Sequence, residues 1–124
     1  MEAWVLASEK LMHEMGINDS VGFRPPVGIR TPPLARTLEK LGLPMILWSL
    51  RFYDAALRFN RQRVEAKLPK LQDGSIILLH DRSFASNKKV ECQALRFLIQ
   101  AARDRGLSPH KLEQKLFKTP LFRL

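Results

Sequence analysis

Asp73-Gly74-Ser75-Ile76-Ile77-Leu78-Leu79-His80-Asp81 contains the clearest strand in the chain. Asp73-Gly74 is a strong turn signal. The apolar run after it ends at a histidine, so a titratable group sits at a strand end. Downstream, Val90, Ala94, Leu95, Leu98, Ile99 and Ala102 form an apolar stripe at helical spacing. That stripe predicts a long helix over 87–105, closed by Gly106. Upstream, a helix over 59–68 is expected to end at Pro69. Before it, Met45-Ile46-Leu47-Trp48 is a short apolar run that suits a strand covered on both faces of a parallel sheet. Pro32-Pro33 opens another helix, lined by Leu34, Leu38 and Leu41 and closed by Gly42. Val21 to Arg24 reads as a short strand stopped by Pro25-Pro26. Residues 2–15 read as a helix in which Trp4, Val5, Leu11, Met12 and Met15 make the buried stripe.

The order is α-β-α-β-α-β-α. Such alternation implies parallel strands joined by right-handed helical crossovers. The expected class is therefore α/β, a partial deformed (β/α) barrel. A complete eight-unit barrel needs about 250 residues, and 124 residues give about half of one. Residues 1–106 make the barrel-like part. Residues 107–124 form a basic tail, with one short helix over 111–117.

Composition narrows the function. Hydrophobic residues are 45% and charged residues 27%, which excludes a wholly disordered chain. No apolar run approaches the ~20 residues of a membrane span. The first ten residues lack the basic region and long apolar core of a secretory signal. Cys92 is the single cysteine, so no internal disulfide and no multi-cysteine zinc site can form. It falls inside the long helix and reads as packed or inert. His13 and His110 read as solvated surface residues. The glycines are isolated, so no phosphate-binding loop is present.

The net charge is +9, and residues 61–124 carry fourteen Lys/Arg against six Asp/Glu. A basic half can hold an anionic polymer, or it can be the solvated face of helices. Lys88, Lys89 and Arg96 would carry the first reading. Against it, aromatic residues are few and are not interleaved with the basic ones as stacking platforms.

In parallel α/β folds, chemistry sits past the carboxyl ends of the strands. Three clusters occupy those places: Phe23-Arg24-Pro25-Pro26-Val27-Gly28, Trp48-Ser49-Leu50-Arg51 with Asp54, and Leu78-Leu79-His80-Asp81. His80 can serve as a general acid or base, or it can cap its strand by hydrogen bonding. Asp54 can orient His80 or pair with Arg51. Arg24 can hold a carboxylate in bidentate geometry, or stand solvated.

Together the clusters resemble the second half of the NodB-type polysaccharide deacetylases, carbohydrate esterases of the deformed (β/α) barrel type. The first is similar to the family's R-P-P-Y-G motif, the second to W-S-x-R-x-x-D, and the third to G-x-I-I-L-L-H-D. They occur in the family's order across about residues 17–106. The resemblance implies metal-dependent removal of acetyl groups from a sugar polymer. It makes His80 the general acid, Asp54 the residue that tunes it, and Arg24 the orienter of a catalytic aspartate. It also implies contacts to substrate from Trp48 and Leu78, the latter lining the acetyl-methyl pocket, and an oxyanion contact from the N–H of Val27. A divalent metal such as zinc is implied for the complete domain, with none held by this chain alone. The family's Asp-Asp motif and its H-x-x-x-H motif, which supply the base and the metal ligands, have no counterpart here. Ala55 stands where many members carry a tryptophan, a wall of the acetyl pocket. The expectation is a half-domain that is inactive by itself. Its partners are an amino-terminal half, an acetylated polysaccharide once complete, and other copies recruited through open sheet edges.

Overall fold

A computed structural model describes residues 1–18, 20–81 and 87–113. The chain divides into two compact units. One is Met1–Leu47 with residues 111–113, and the other is Trp48–His110.

In the first unit, α1 spans Glu2–Glu14 and α2 spans Pro32–Lys40. Two prolines suit the first turn of α2, where their missing N–H groups would have no partner anyway. Thr31 precedes them as the cap, and its hydroxyl accepts from the N–H of Leu34 at 3.3 Å. The core consists of Val5, Phe23, Leu34 and Leu38, with Leu41, Leu43 and Met45 packed against it. Trp4 meets Phe23 edge to face, ring centroids 5.7 Å apart. Phe23 also bridges Met45 in parallel fashion. Its N–H donates to Pro44 O, and its own oxygen accepts from the N–H of Ile46, both at 2.8 Å. The expected strand over 21–24 is thus reduced to one residue, because Pro25-Pro26 cannot continue a ladder.

Of the stripe expected on α1, only Val5 is buried. Trp4, Leu11 and Met15 remain about half or more exposed. α2 presents its own narrow stripe, Leu34 and Leu38, and so covers one part of α1 only.

In the second unit, β1 (Leu50–Arg51) pairs in parallel with β2 (Ile77–Leu78), Leu50 opposite Ile77 and Arg51 opposite Leu78. Ser49 tightens the start of the pair. Its hydroxyl accepts from the N–H of Ile76 at 3.0 Å, and its N–H donates to Ile76 O at 2.9 Å. α3 (Arg61–Lys67) begins at Asn60, whose side-chain oxygen accepts from the N–H of Arg63 at 3.0 Å. A 3-10 turn over Leu68–Lys70 follows, where Pro69 ends the α-helical pattern as expected. α4 (Lys88–Asp104) begins at Asn87, whose side chain accepts from the N–H groups of Lys89 and Val90.

Leu50, Phe52, Phe59, Val64, Leu68, Ala94, Leu98 and Ala101 form the core of this unit, with Leu71, Ile77, Leu79 and Phe97 against it. The buried stripe of α4 is therefore 94, 98 and 101, rotated from the expected one. Val90 and Leu95 are 36% and 40% exposed. Cys92 is exposed as well, which corrects the expectation that it is packed. The reason is that α4 meets a small partner surface, the seven-residue α3 and two short strands, and small Ala94 and Ala101 allow close approach there.

The class is thus mixed helix and sheet, with four α-helices and a two-stranded parallel sheet among the described residues. No helix among those residues is long and apolar enough to cross a membrane. The helix expected over 111–117 and the end of the basic tail lie mostly outside the described residues.

Gly22 leaves no room for a side chain. A Cβ there would stand 2.4 Å from Pro44 O and 2.9 Å from Ile46 Cγ1. Gly22→Ala is expected to push Pro44 away from Phe23 and to cost about 1–3 kcal/mol, as overpacking does. A urea midpoint unchanged from that of the parent chain would contradict this.

Candidate functional site

The second unit gathers Asp54 and His80. Asp54 is the buried charged residue of the described chain, 4% exposed. The N–H of His80 donates to Asp54 Oδ2 at 2.5 Å, and His80 Nδ1 lies 3.1 Å from Asp54 Oδ1. A carboxylate only accepts, so Nδ1 carries the proton in this pair. One carboxylate thereby fixes both the backbone and the ring of His80. Nε2 is the ring nitrogen left for other partners, on a side chain 43% exposed. This arrangement assigns Asp54 to His80. The competing pairing with Arg51 does not occur among the described residues: the chain turns at Tyr53 before it reaches Asp54, and the Arg51 guanidinium lies over the Tyr53 ring instead.

The turn between them is unusual. Tyr53 has φ +58, a left-handed conformation that aromatic residues seldom adopt. Its carbonyl accepts from the N–H groups of Ala56 and Leu57 at 3.1 and 2.9 Å, which holds the turn that carries Asp54 inward. Arg51 lies over the Tyr53 ring, its guanidinium carbon 4.1 Å from the centroid. Arg51 Nη2 also donates to the Tyr53 hydroxyl at 2.8 Å. Reading the chain for chemistry passed over Tyr53, since nothing in its neighbours signals a positive φ. The available signal was Arg51, one position from a buried strand residue and directed away from the core by alternation.

Leu78 is half-buried on β2, in register with Arg51. Trp48 is half-buried just before β1. Leu78 lies in a strand as expected, whereas the strand expected over Met45–Trp48 is reduced to a bridge at Met45 and Trp48 precedes the strand instead of ending it.

Arg24 and Val27 belong to the first unit. Arg24 is exposed, and its Nε–H donates to Ile46 O at 3.3 Å. No carboxylate pairs with it among the described residues. Val27 occupies the third position of a turn over residues 25–28, closed by the N–H of Gly28 donating to Pro25 O at 3.0 Å. Its φ of +57 is where such a turn normally demands glycine or asparagine. For a β-branched residue this is a strained conformation. The side chain is 87% exposed, so packing does not compensate. The N–H of Val27 donates to no acceptor among the described residues.

No group of three or more His, Cys, Asp or Glu side chains converges among the described residues. Asp54 and His80 bind each other, and no third donor joins them. The described residues therefore do not fit a divalent metal by themselves.

No protein-family model matches the chain, and neither does any curated protein or solved structure.

Two outcomes test this geometry. Asp54→Ala leaves the part-buried N–H of His80 without its acceptor and is expected to cost about 1–3 kcal/mol. His80→Ala is expected to cost under about 1 kcal/mol, since losing a half-exposed ring opens Oδ1 to water and leaves the backbone bond in place. Equal costs in urea unfolding would contradict the two-point grip. Val27→Gly is expected to raise stability by about 1 kcal/mol through release of strain. An unchanged or lowered urea midpoint would show that the turn carries no such strain.

Proposed function

We propose that this chain is the carboxyl-terminal half of a polysaccharide deacetylase-like (β/α) barrel, and that His80 is its general acid. The observation that carries the reading is the hold of Asp54 on both the backbone N–H and Nδ1 of His80. That hold commits Nδ1–H to Asp54 and leaves Nε2 to take up a proton from solvent and pass it on. Water, activated by a base from another segment, adds to the acetyl carbon; as the bond from that carbon to the leaving nitrogen or oxygen breaks, the Nε2 proton passes to the leaving atom and the ring returns to its Nδ1–H form. Asp54 keeps the ring in one orientation and one tautomer. The unspent N–H of Val27 suits the oxyanion role that the resemblance implies. Arg24 keeps the free guanidinium edge needed to orient a carboxylate supplied by another segment. The catalytic base would come from residues other than those described, and no step is assigned to a metal.

The architecture supports the barrel part of the reading. Among the described residues, α3 and α4 pack with Leu50, Phe52, Ile77 and Leu79, on one face of the parallel pair. Each of β1 and β2 has one edge with no partner strand among the described residues. A wall segment of a barrel has these properties, with helices outside and chemistry-bearing residues on the opposite face. Such edges invite pairing. Alone, the chain is expected to self-associate, and sedimentation as a lone, cooperatively melting monomer would count against the reading.

The decisive experiment reads the coding DNA upstream of Met1 in all frames and expresses the joined protein. The upstream segment is expected to encode an Asp-Asp motif and an H-x-x-x-H motif. The joined protein is expected to release acetate from N- or O-acetylated oligosaccharides, about 10²-fold or more slowly after His80→Ala. Absence of either motif, or a rate indifferent to His80→Ala, overturns the proposal.

A further inference from the structure

The β1–β2 pair has two unlike faces. Leu50, Phe52, Ile77 and Leu79 pack toward the core with Val64 and Leu98 of α3 and α4. By alternation and register, Arg51 and Leu78 share the other face. His80 follows Leu78 by two residues. Strand spacing and rise put the backbones of Arg51 and His80 roughly 8 Å apart, within the span of one short oligosaccharide.

On this face Arg51 and Tyr53 form a prepared plate. The guanidinium lies over the ring at 4.1 Å and donates to the phenol oxygen at 2.8 Å. Tyr53 is 45% exposed and is held at φ +58. Arg51 has no carboxylate partner among the described residues. Among the described residues its charge is met by a neutral phenol, and its remaining N–H groups have no acceptor there. A fixed planar guanidinium matches a carboxylate in two-point geometry better than a mobile ammonium does. The phenol, accepting from Arg51, keeps its own O–H to donate. Backbone strain at Tyr53 positions the plate without contributing to the core, as strain retained at binding sites does.

We propose that Arg51 and Tyr53 form a subsite for a sugar residue that bears a carboxylate, beside the position where His80 acts. The proposal rests on the sugar-polymer reading above and narrows its substrate class to acidic saccharides. Arg51 and Tyr53 set specificity, and the proton transfer stays with His80.

The test measures binding to the full chain by titration calorimetry. The probes are a tetramer of galacturonic acid and the same tetramer as its methyl ester. About 0.3 M salt is used, so that the general +9 charge of the protein is screened. The acid is expected to bind at least about tenfold more tightly than the ester, the scale of one charge-assisted contact. Arg51→Gln should remove that preference. Arg51→Lys, which keeps the charge and loses the fork, should remove most of it. Tyr53→Phe should weaken it. Lys88→Gln/Lys89→Gln should leave it intact. Arg51 is exposed, and a thermal melt of each variant confirms that folding is unaffected. Equal binding of acid and ester overturns the proposal, as does a preference that survives Arg51→Gln. A preference that follows Lys88 and Lys89 overturns it too, in favour of diffuse attraction to polyanions. The binding readout is independent of acetate release, so upstream DNA lacking both motifs would remove the deacetylase reading and leave this result standing.

Discussion

A single buried carboxylate ties together the carboxyl ends of the two strands. Asp54 follows β1, His80 follows β2, and the two hydrogen bonds between them are the polar contacts that close this end of the sheet. Burying a carboxylate is unfavourable unless its oxygens are satisfied. Here one oxygen takes a backbone N–H and the other a ring nitrogen. Neither bond can be kept if the strands slip, because a one-residue shift would turn His80 to the opposite face. The register of Leu50 with Ile77 and the placement of the histidine are therefore one constraint. The left-handed turn at Tyr53 is its counterpart in the backbone. Without it, the chain after Phe52 would continue outward and Asp54 would not reach β2.

From that constraint follows the division of labour across the sheet. Apolar residues at alternate positions, Leu50 and Phe52 on one side and Ile77 and Leu79 on the other, meet the helices. The intervening positions, Arg51 and Leu78, face away from those helices, one charged and one apolar. The strands are short, and the hydrophobic core of the unit is shared with helices on one side.

Much of this was legible in the residues. The turn at Asp73-Gly74 and the start of the long helix at residue 87 follow from local rules that tertiary context did not override, while the strand before His80 is present but shortened to Ile77–Leu78. The prolines at the start of α2 and after α3 follow those rules too. The pairing of Asp54 with His80 was one of two open alternatives, and what separates them is the turn at Tyr53, which no local rule signals. Less legible was which apolar residues are buried. On α1 and α4 the apolar residues outnumber the partner surface available, so Trp4, Leu11 and Val90 stay exposed although the periodic pattern marks them. Least legible were Val27 and Tyr53. Propensity predicts where left-handed residues are easy, and these two stand where they are hard.

The partition into two units has a spectroscopic consequence. The chain has two tryptophans, and each unit received one: Trp4 against the edge of Phe23 in the first, and Trp48 at the threshold of β1 in the second. Each indole therefore emits from a different compact unit. Exchange of Trp4 for phenylalanine leaves a fluorophore that reports on the unit holding Asp54 and His80. Exchange of Trp48 isolates the other. Loss of order in one half of the molecule can then be timed against the other by intrinsic fluorescence, with no added label.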